Sequence, residues 1–268
     1  MRIAGIDKTS VVDFPGKIAA VVFTPGCNFD CWYCHNRHLL APGEQPVNHD
    51  PQDVLDFLAT RVGLLDGVVV SGGEATLQPG LDDFLAAVRK LGFATKLDTN
   101  GTRPWILRDL IDRGLVDFVA MDIKAAFAGY DEITQADVDR AAIEETIDLL
   151  MACGVDYEFR TTFAPPLTAA DIAQIAMRIR GAKQYALQQY RMPGRGVNLF
   201  GVVEAPEPRT PQEVFEAADI ARRFVPNTLV RGLPSMDAES QSDTRGSYVS
   251  NGRNTRQWVI PFDVAQEQ

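Results

Sequence analysis

Three thiols fall within eight positions, in the run Gly26-Cys27-Asn28-Phe29-Asp30-Cys31-Trp32-Tyr33-Cys34. Such crowding is not a disulfide framework; in a reducing compartment it reads as metal or cluster ligation. Thiolates are the usual protein ligands of iron–sulfur clusters. Three on one short loop can wrap three corners of a cubane and leave the fourth iron to an outside ligand. Zinc is the alternative. A structural zinc site takes four ligands, mostly as separated pairs, so the third thiolate would need His35, His38 or His49 to close the shell. The fourth cysteine, Cys153, ends an amphipathic segment just before Gly154 and reads as a small core thiol.

Other polar residues recur where apolar runs end. Ser71-Gly72-Gly73-Glu74 follows the run Gly67–Ser71. Its two glycines admit a close ligand, and Glu74 offers an acceptor to an ammonium. Asp98-Thr99-Asn100-Gly101 closes the run 94–99, at the kind of strand end where ligands collect in α/β sheets. Asp122 and Lys124 end the run 116–123, and alternation sends both to one face while Ile123 goes to the other. Arg160 lies on the run 155–163. Read singly, each is a turn, a surface ion pair or a structural arginine.

These runs alternate with helical patterns. Strands are predicted at 17–24, 67–71, 94–99, 116–123, 155–163 and 184–190, with a last short apolar run at 228–230. Helices are predicted from Pro51, behind an Asp50 cap, and over 81–91, 104–113, 137–152, 168–180 and 211–224. Six βα units imply an α/β fold with parallel strands and outer helices, open or curled toward a barrel.

The chain has 268 residues, 46% of them hydrophobic and 23% charged, as expected of a globular protein. A formal net charge of −10 argues against a surface for nucleic acid or anionic lipid. No apolar run is long enough to span a bilayer, and residues 1–10 contain no signal-peptide core, so a cytoplasmic protein is expected. The expected organisation is one domain over residues 1–234 and a polar, flexible tail over 235–268.

The cysteine loop resembles the radical S-adenosylmethionine (SAM) superfamily, whose signature is C-x3-C-x-aromatic-C, the aromatic here being Tyr33. The segments TSVVDFPGK (9–17), GVVVSGGE (67–74), KLDTNG (96–101) and AMDIK (120–124) follow in the order found in activating enzymes of glycyl-radical proteins, especially the anaerobic ribonucleoside-triphosphate reductase type. Ala75 stands where the family commonly has proline. The resemblance implies a partial (β/α)6 radical-SAM barrel, with Cys27, Cys31 and Cys34 holding a 4Fe–4S cluster that reductively cleaves SAM to a 5′-deoxyadenosyl radical. It places Tyr33 beside the adenine, and Gly72, Gly73, Glu74 and Asp98 around the methionine ammonium. Lys124 falls at the carboxylate, with Asn100, Asp122 and Arg160 nearby and a monovalent cation beside the two aspartates. It further implies a glycyl-radical enzyme as protein substrate and a flavodoxin or ferredoxin as electron donor. Competing readings are a small-molecule radical SAM enzyme of the deazapurine-synthase kind, and a non-enzymatic iron–sulfur or zinc module that would need the cysteines alone.

Overall fold

The computed structural model describes residues 1–40, 49–192 and 206–233. The expected tail, 235–268, lies outside the described residues. Eight strands form one sheet in sequence order. They are β1 (Gly5–Ser10), β2 (Ala19–Thr24), β3 (Gly67–Gly72), β4 (Ala94–Thr99), β5 (Phe118–Asp122), β6 (Asp156–Phe163), β7 (Tyr185–Gln189) and β8 (Thr228–Arg231). From β2 to β8 every neighbouring pair is parallel. The crossovers carry α1 (Pro51–Ala59), α2 (Leu81–Lys90), α3 (Pro104–Asp112), α4 (Tyr130–Thr134), α5 (Arg140–Ala152), α6 (Ala169–Arg178) and α7 (Pro211–Arg222). Six βα units therefore run from β2 through α7, as the alternation predicts.

The helices begin where short polar side chains satisfy their first N–H groups. Asp50 accepts from the Gln52 amide, and Asp139 from Ala141 and Ala142. Thr168 and Thr210 each form a reciprocal capping box, with Asp171 and Glu213. Their apolar faces bury the outer side of the sheet, for example Phe84, Leu85 and Val88 of α2 and Ile143, Ile147 and Leu150 of α5.

The inner side of the sheet is layered along the strands. Phe14, Ala19, Val21 and Val69, with Phe23, Ala94 and Phe118, form a separate apolar plug toward the strand starts. Polar and charged residues replace them toward the carboxyl ends. This gradient puts the open end of the half-barrel, and every sequence-predicted ligand, at one rim.

Two elements differ from expectation. Gly5–Ser10 (GIDKTS) forms β1, antiparallel to β2. An edge strand paired on one side needs little apolar character, and this one has only Ile6. The five-residue α4 buries Tyr130, Ile133 and Thr134, too short a span to show a helical period. No helix among the described residues is long and apolar enough to cross a membrane.

Candidate active site

The cysteine loop leaves β2 and is pinned along its length. Gly26 N–H donates to the Leu39 carbonyl at 2.8 Å, and Asp30 N–H to the Thr134 carbonyl of α4 at 2.8 Å. Arg37 donates to the Cys31 carbonyl at 3.1 Å and to the Asp30 carboxylate at 2.5 Å. Asn36 reaches the Gly72 carbonyl at 3.2 Å. Phe29 meets Tyr130 edge-on, with ring centroids 6.3 Å apart.

The end of β3 approaches the loop most closely. Glu74 N–H donates to the Gly26 carbonyl at 2.8 Å, which brings the two backbones together. A Cβ on Gly73 would lie 1.9 Å from that same oxygen, so no other residue fits. Gly72, at φ +115°, has the Thr24 backbone at 2.4 Å from the place of a Cβ. Gly73→Ala should therefore push the cysteine loop off β3. We expect a lower melting temperature and iron loading well below wild type, both read on the reconstituted protein.

The loop and the strand ends enclose one cavity of about 300 Å³. Its walls include Cys27, Cys31, Cys34 and Tyr33 from the loop, and Gly72, Gly73, Asp98, Asn100, Asp122, Lys124 and Arg160 from β3 to β6. All four cysteines are free thiols. Burial pushes the Cys27 thiol up to about 11 and Cys31 to about 12, so ligation must displace protons. Cys153 caps α5, and its thiol donates to the Leu150 carbonyl at 3.2 Å, outside the cavity.

Among the described residues no three His, Cys, Asp or Glu side chains are gathered tightly enough to hold a single metal ion. The three thiols are spread along the wall of a larger space. That donor set, all sulfur on one loop around a volume, suits a multi-iron cluster. A second fitting observation is the Tyr33 hydroxyl, which is buried without a hydrogen-bond partner among the described residues, on a ring that lines the cavity. Such a group normally meets one.

The charged side chains of β4, β5 and β6 form one network. Arg160 bridges the two aspartates, Nη1 to Asp98 Oδ2 at 3.2 Å and Nε to Asp122 Oδ1 at 2.7 Å. Lys124 pairs with Asp122 Oδ2 at 3.0 Å, and Lys96 with Asp98 Oδ1. Strand register explains the convergence: Asp122 and Arg160 are directly opposed in β5 and β6. Burial disfavours the charge on Asp122, but Arg160 and Lys124 outweigh it and hold the carboxyl far below its usual range. Asp98 is lowered in the same way against burial, by Arg160 and Lys96. Lys124 and Arg160 are raised, their aspartate partners overcoming burial. Three cations against two carboxylates leave an excess of one positive charge, suited to an anionic ligand group.

Glu74 departs from its expected role. Its side chain does not line the cavity and is only 1% exposed. Its carboxylate instead accepts from the Thr76 amide and hydroxyl, the Thr99 hydroxyl and, at 2.6 Å, the Asn100 amide. Glu74 thus ties the end of β3 to the end of β4, while burial pushes its carboxyl up despite these bonds. Every one of its partners is a donor, so the amide of Glu74→Gln would face a donor with a donor. We expect a loss of about 1–3 kcal/mol in thermal unfolding with ligand affinity nearly kept. A direct ammonium contact would give the reverse.

Asn100 also works within the scaffold, donating to Asn28 at 2.8 Å while its oxygen accepts from Thr102. Ser71 of the same motif as Glu74 lines the cavity as well, and so do Thr162 and Gln188, which sequence reading does not single out. Alternation from Arg160 points to Thr162, and Gln188 sits opposite it in β7.

Comparison with known proteins assigns the chain to a family. A model of the radical SAM superfamily matches residues 21–179. A protein of Methanocaldococcus jannaschii named "Putative glycyl-radical enzyme activating enzyme" is 33% identical over 86% of this chain and 96% of its own length. A pyruvate formate-lyase-activating enzyme of Clostridium pasteurianum is 30% identical over 72% of this chain and 83% of its own. Among solved structures, SuiB of Streptococcus suis matches with a TM-score of 0.63 at 12% identity, over 79% of this chain and 48% of that one. Coproporphyrinogen III oxidase of Escherichia coli gives 0.54 at 13%, over 81% and 54%. This chain spans about half the length of each of these two, and the likeness concerns the fold. The chain belongs to the radical SAM superfamily, which implies a 4Fe–4S cluster and SAM, and it is homologous to the activating enzymes of glycyl-radical proteins.

Proposed function

We propose that this protein generates a glycyl radical on a separate partner enzyme, of the anaerobic ribonucleoside-triphosphate reductase type, in the cytoplasm and with a flavodoxin or ferredoxin as electron donor. The observation that carries the reading is the single cavity in which the three thiols of one loop face the charged ends of β4, β5 and β6. A non-enzymatic module would need the cysteines but not Asp98, Asp122, Lys124 and Arg160 around the same space. The partner class rests on homology that runs through 96% of the jannaschii protein.

Each residue has a task that follows from its chemistry. Cys27, Cys31 and Cys34 hold the cluster, with no fourth cysteine on the loop to complete its shell. When bound, the reduced cluster and SAM supply a 5′-deoxyadenosyl radical able to take a hydrogen atom from carbon. Lys124, with Arg160 behind it, presents positive charge to the SAM carboxylate. Asp98 and the glycine-lined end of β3 face the ammonium. The Tyr33 ring offers the adenine a flat apolar surface, and Trp32 and Tyr190 back it with centroids at 5.4 and 6.4 Å. The chain needs no general base, since hydrogen-atom transfer moves no separate proton.

The test mixes the reduced, cluster-loaded protein and SAM, without oxygen, with anaerobic ribonucleotide reductase and separately with pyruvate formate-lyase. We expect a glycyl-radical resonance on the reductase that requires SAM. Cleavage of SAM with no radical on either partner would point to a small-molecule substrate instead.

A further inference from the structure

We infer that Lys96 supplies, from within the chain, the positive charge that the family resemblance assigns to a bound monovalent cation, so that this protein binds SAM without one. The inference rests on the cavity being the SAM site.

Asp98 and Asp122, the two aspartates that would hold the cation, have four carboxylate oxygens between them. Each is already paired with a cationic donor of the chain. Lys96 takes Asp98 Oδ1, Arg160 takes Asp98 Oδ2 and Asp122 Oδ1, and Lys124 takes Asp122 Oδ2. Ser71 adds a hydroxyl to Asp98 Oδ2 at 3.0 Å. A potassium or sodium ion bridging the pair would have to compete for these oxygens with Arg160, the group that already bridges it. The residues present therefore do not fit a metal cation here.

Lys96 differs from the other two cations. Lys124 and Arg160 line the cavity, whereas Lys96 lies one strand step below Asp98 and is 1% exposed. Residues two apart on a strand share a face, so its ammonium approaches Asp98 from the barrel interior. There it has the Phe118 ring at 6.0 Å, and Asp98 is its one hydrogen-bonded acceptor among the described residues. An ammonium so deep in the barrel is costly to bury. It does not line the cavity, and it caps no helix among the described residues. What it does is fix the position and charge of Asp98, the carboxylate expected at the SAM ammonium. Lys96 is thus a positioning residue that acts through Asp98.

The experiment titrates SAM into the reduced, cluster-loaded protein and follows the change in its low-temperature resonance spectrum. Potassium chloride is compared with choline chloride at equal ionic strength. For the wild type we expect dissociation constants that agree within about twofold. SAM affinity that rises tenfold in potassium would overturn the inference. Lys96→Met keeps the length of the side chain and removes its charge. We expect affinity about tenfold weaker than wild type in choline, with potassium restoring much of the loss. Lys96→Met with wild-type affinity in choline would equally overturn the inference. Should that variant fail to fold, the wild-type comparison still decides. Absence of SAM binding in either salt would instead strike the functional reading itself.

Discussion

Cys31→Ala, reconstituted with iron and sulfide without oxygen, is expected to fold and yet to hold no 4Fe–4S cluster. Cys31 is buried between the two other thiols of the loop. Its removal leaves two ligands where three are needed to wrap the cluster. Little of the loop's own support depends on the thiol, because the hydrogen bonds to Leu39, Thr134 and Glu74 are made by other groups. We therefore expect a stability change of about 1 kcal/mol and loss of the cluster's visible absorption. SAM cleavage should disappear entirely, a fall of about 10⁶-fold or more, since the whole rate enhancement rests on the centre. Cys153→Ala is the matched control, expected to load iron and cleave SAM as the wild type does. Loss of the cluster in that variant instead would mean that the thiol inventory of the site is wrong.

The second large effect is expected at Arg160. Among the described residues its guanidinium is the one group bound to both Asp98 and Asp122. Arg160→Met keeps the bulk and leaves two buried carboxylates to Lys96 and Lys124 alone. Breaking a buried pair from one side costs about 3–5 kcal/mol, so chemical denaturation near neutral pH should show a loss of that order. The pH dependence has a definite sign. Both carboxyls are held below their usual range in the folded state, so their contribution is fully present above the unfolded carboxylate range of about pH 4. It is lost as pH falls through the lower folded values. The wild type should therefore weaken in acid. Arg160→Met should show a shallower acid decline, because much of that contribution is already gone at pH 7. Equal acid profiles for the two proteins would contradict the role given to Arg160.

Much of this was legible in the letters. Apolar runs expose β2 to β7, whose outer face is buried under helices, and the first helix declares itself by its Asp50 cap and Pro51. The cysteine spacing points to a cluster without any structure, since the ligands are local. Three features were not legible, each for a physical reason. β1 is a polar edge strand, and its pairing depends on β2 rather than on its own pattern. Glu74 reads as an acceptor for a ligand ammonium, yet before the turn at Ala75–Leu77 its carboxylate points inward and ties two strand ends. The five-residue α4 is too short to show a helical period, and it is held by the cysteine loop through Asp30 and Phe29. In each case a contact distant in sequence decides the outcome, and no local pattern encodes it.

Reductive cleavage requires that the one cavity bring the cluster and SAM together. The measurement that tests it most directly is the yield of 5′-deoxyadenosine from the reduced, cluster-loaded wild type incubated with SAM under strict anaerobiosis, beside Cys31→Ala treated identically. Product from the wild type alone is the predicted result. A wild type that holds a full, reduced cluster, shows no spectral response to SAM and releases no product would contradict the account.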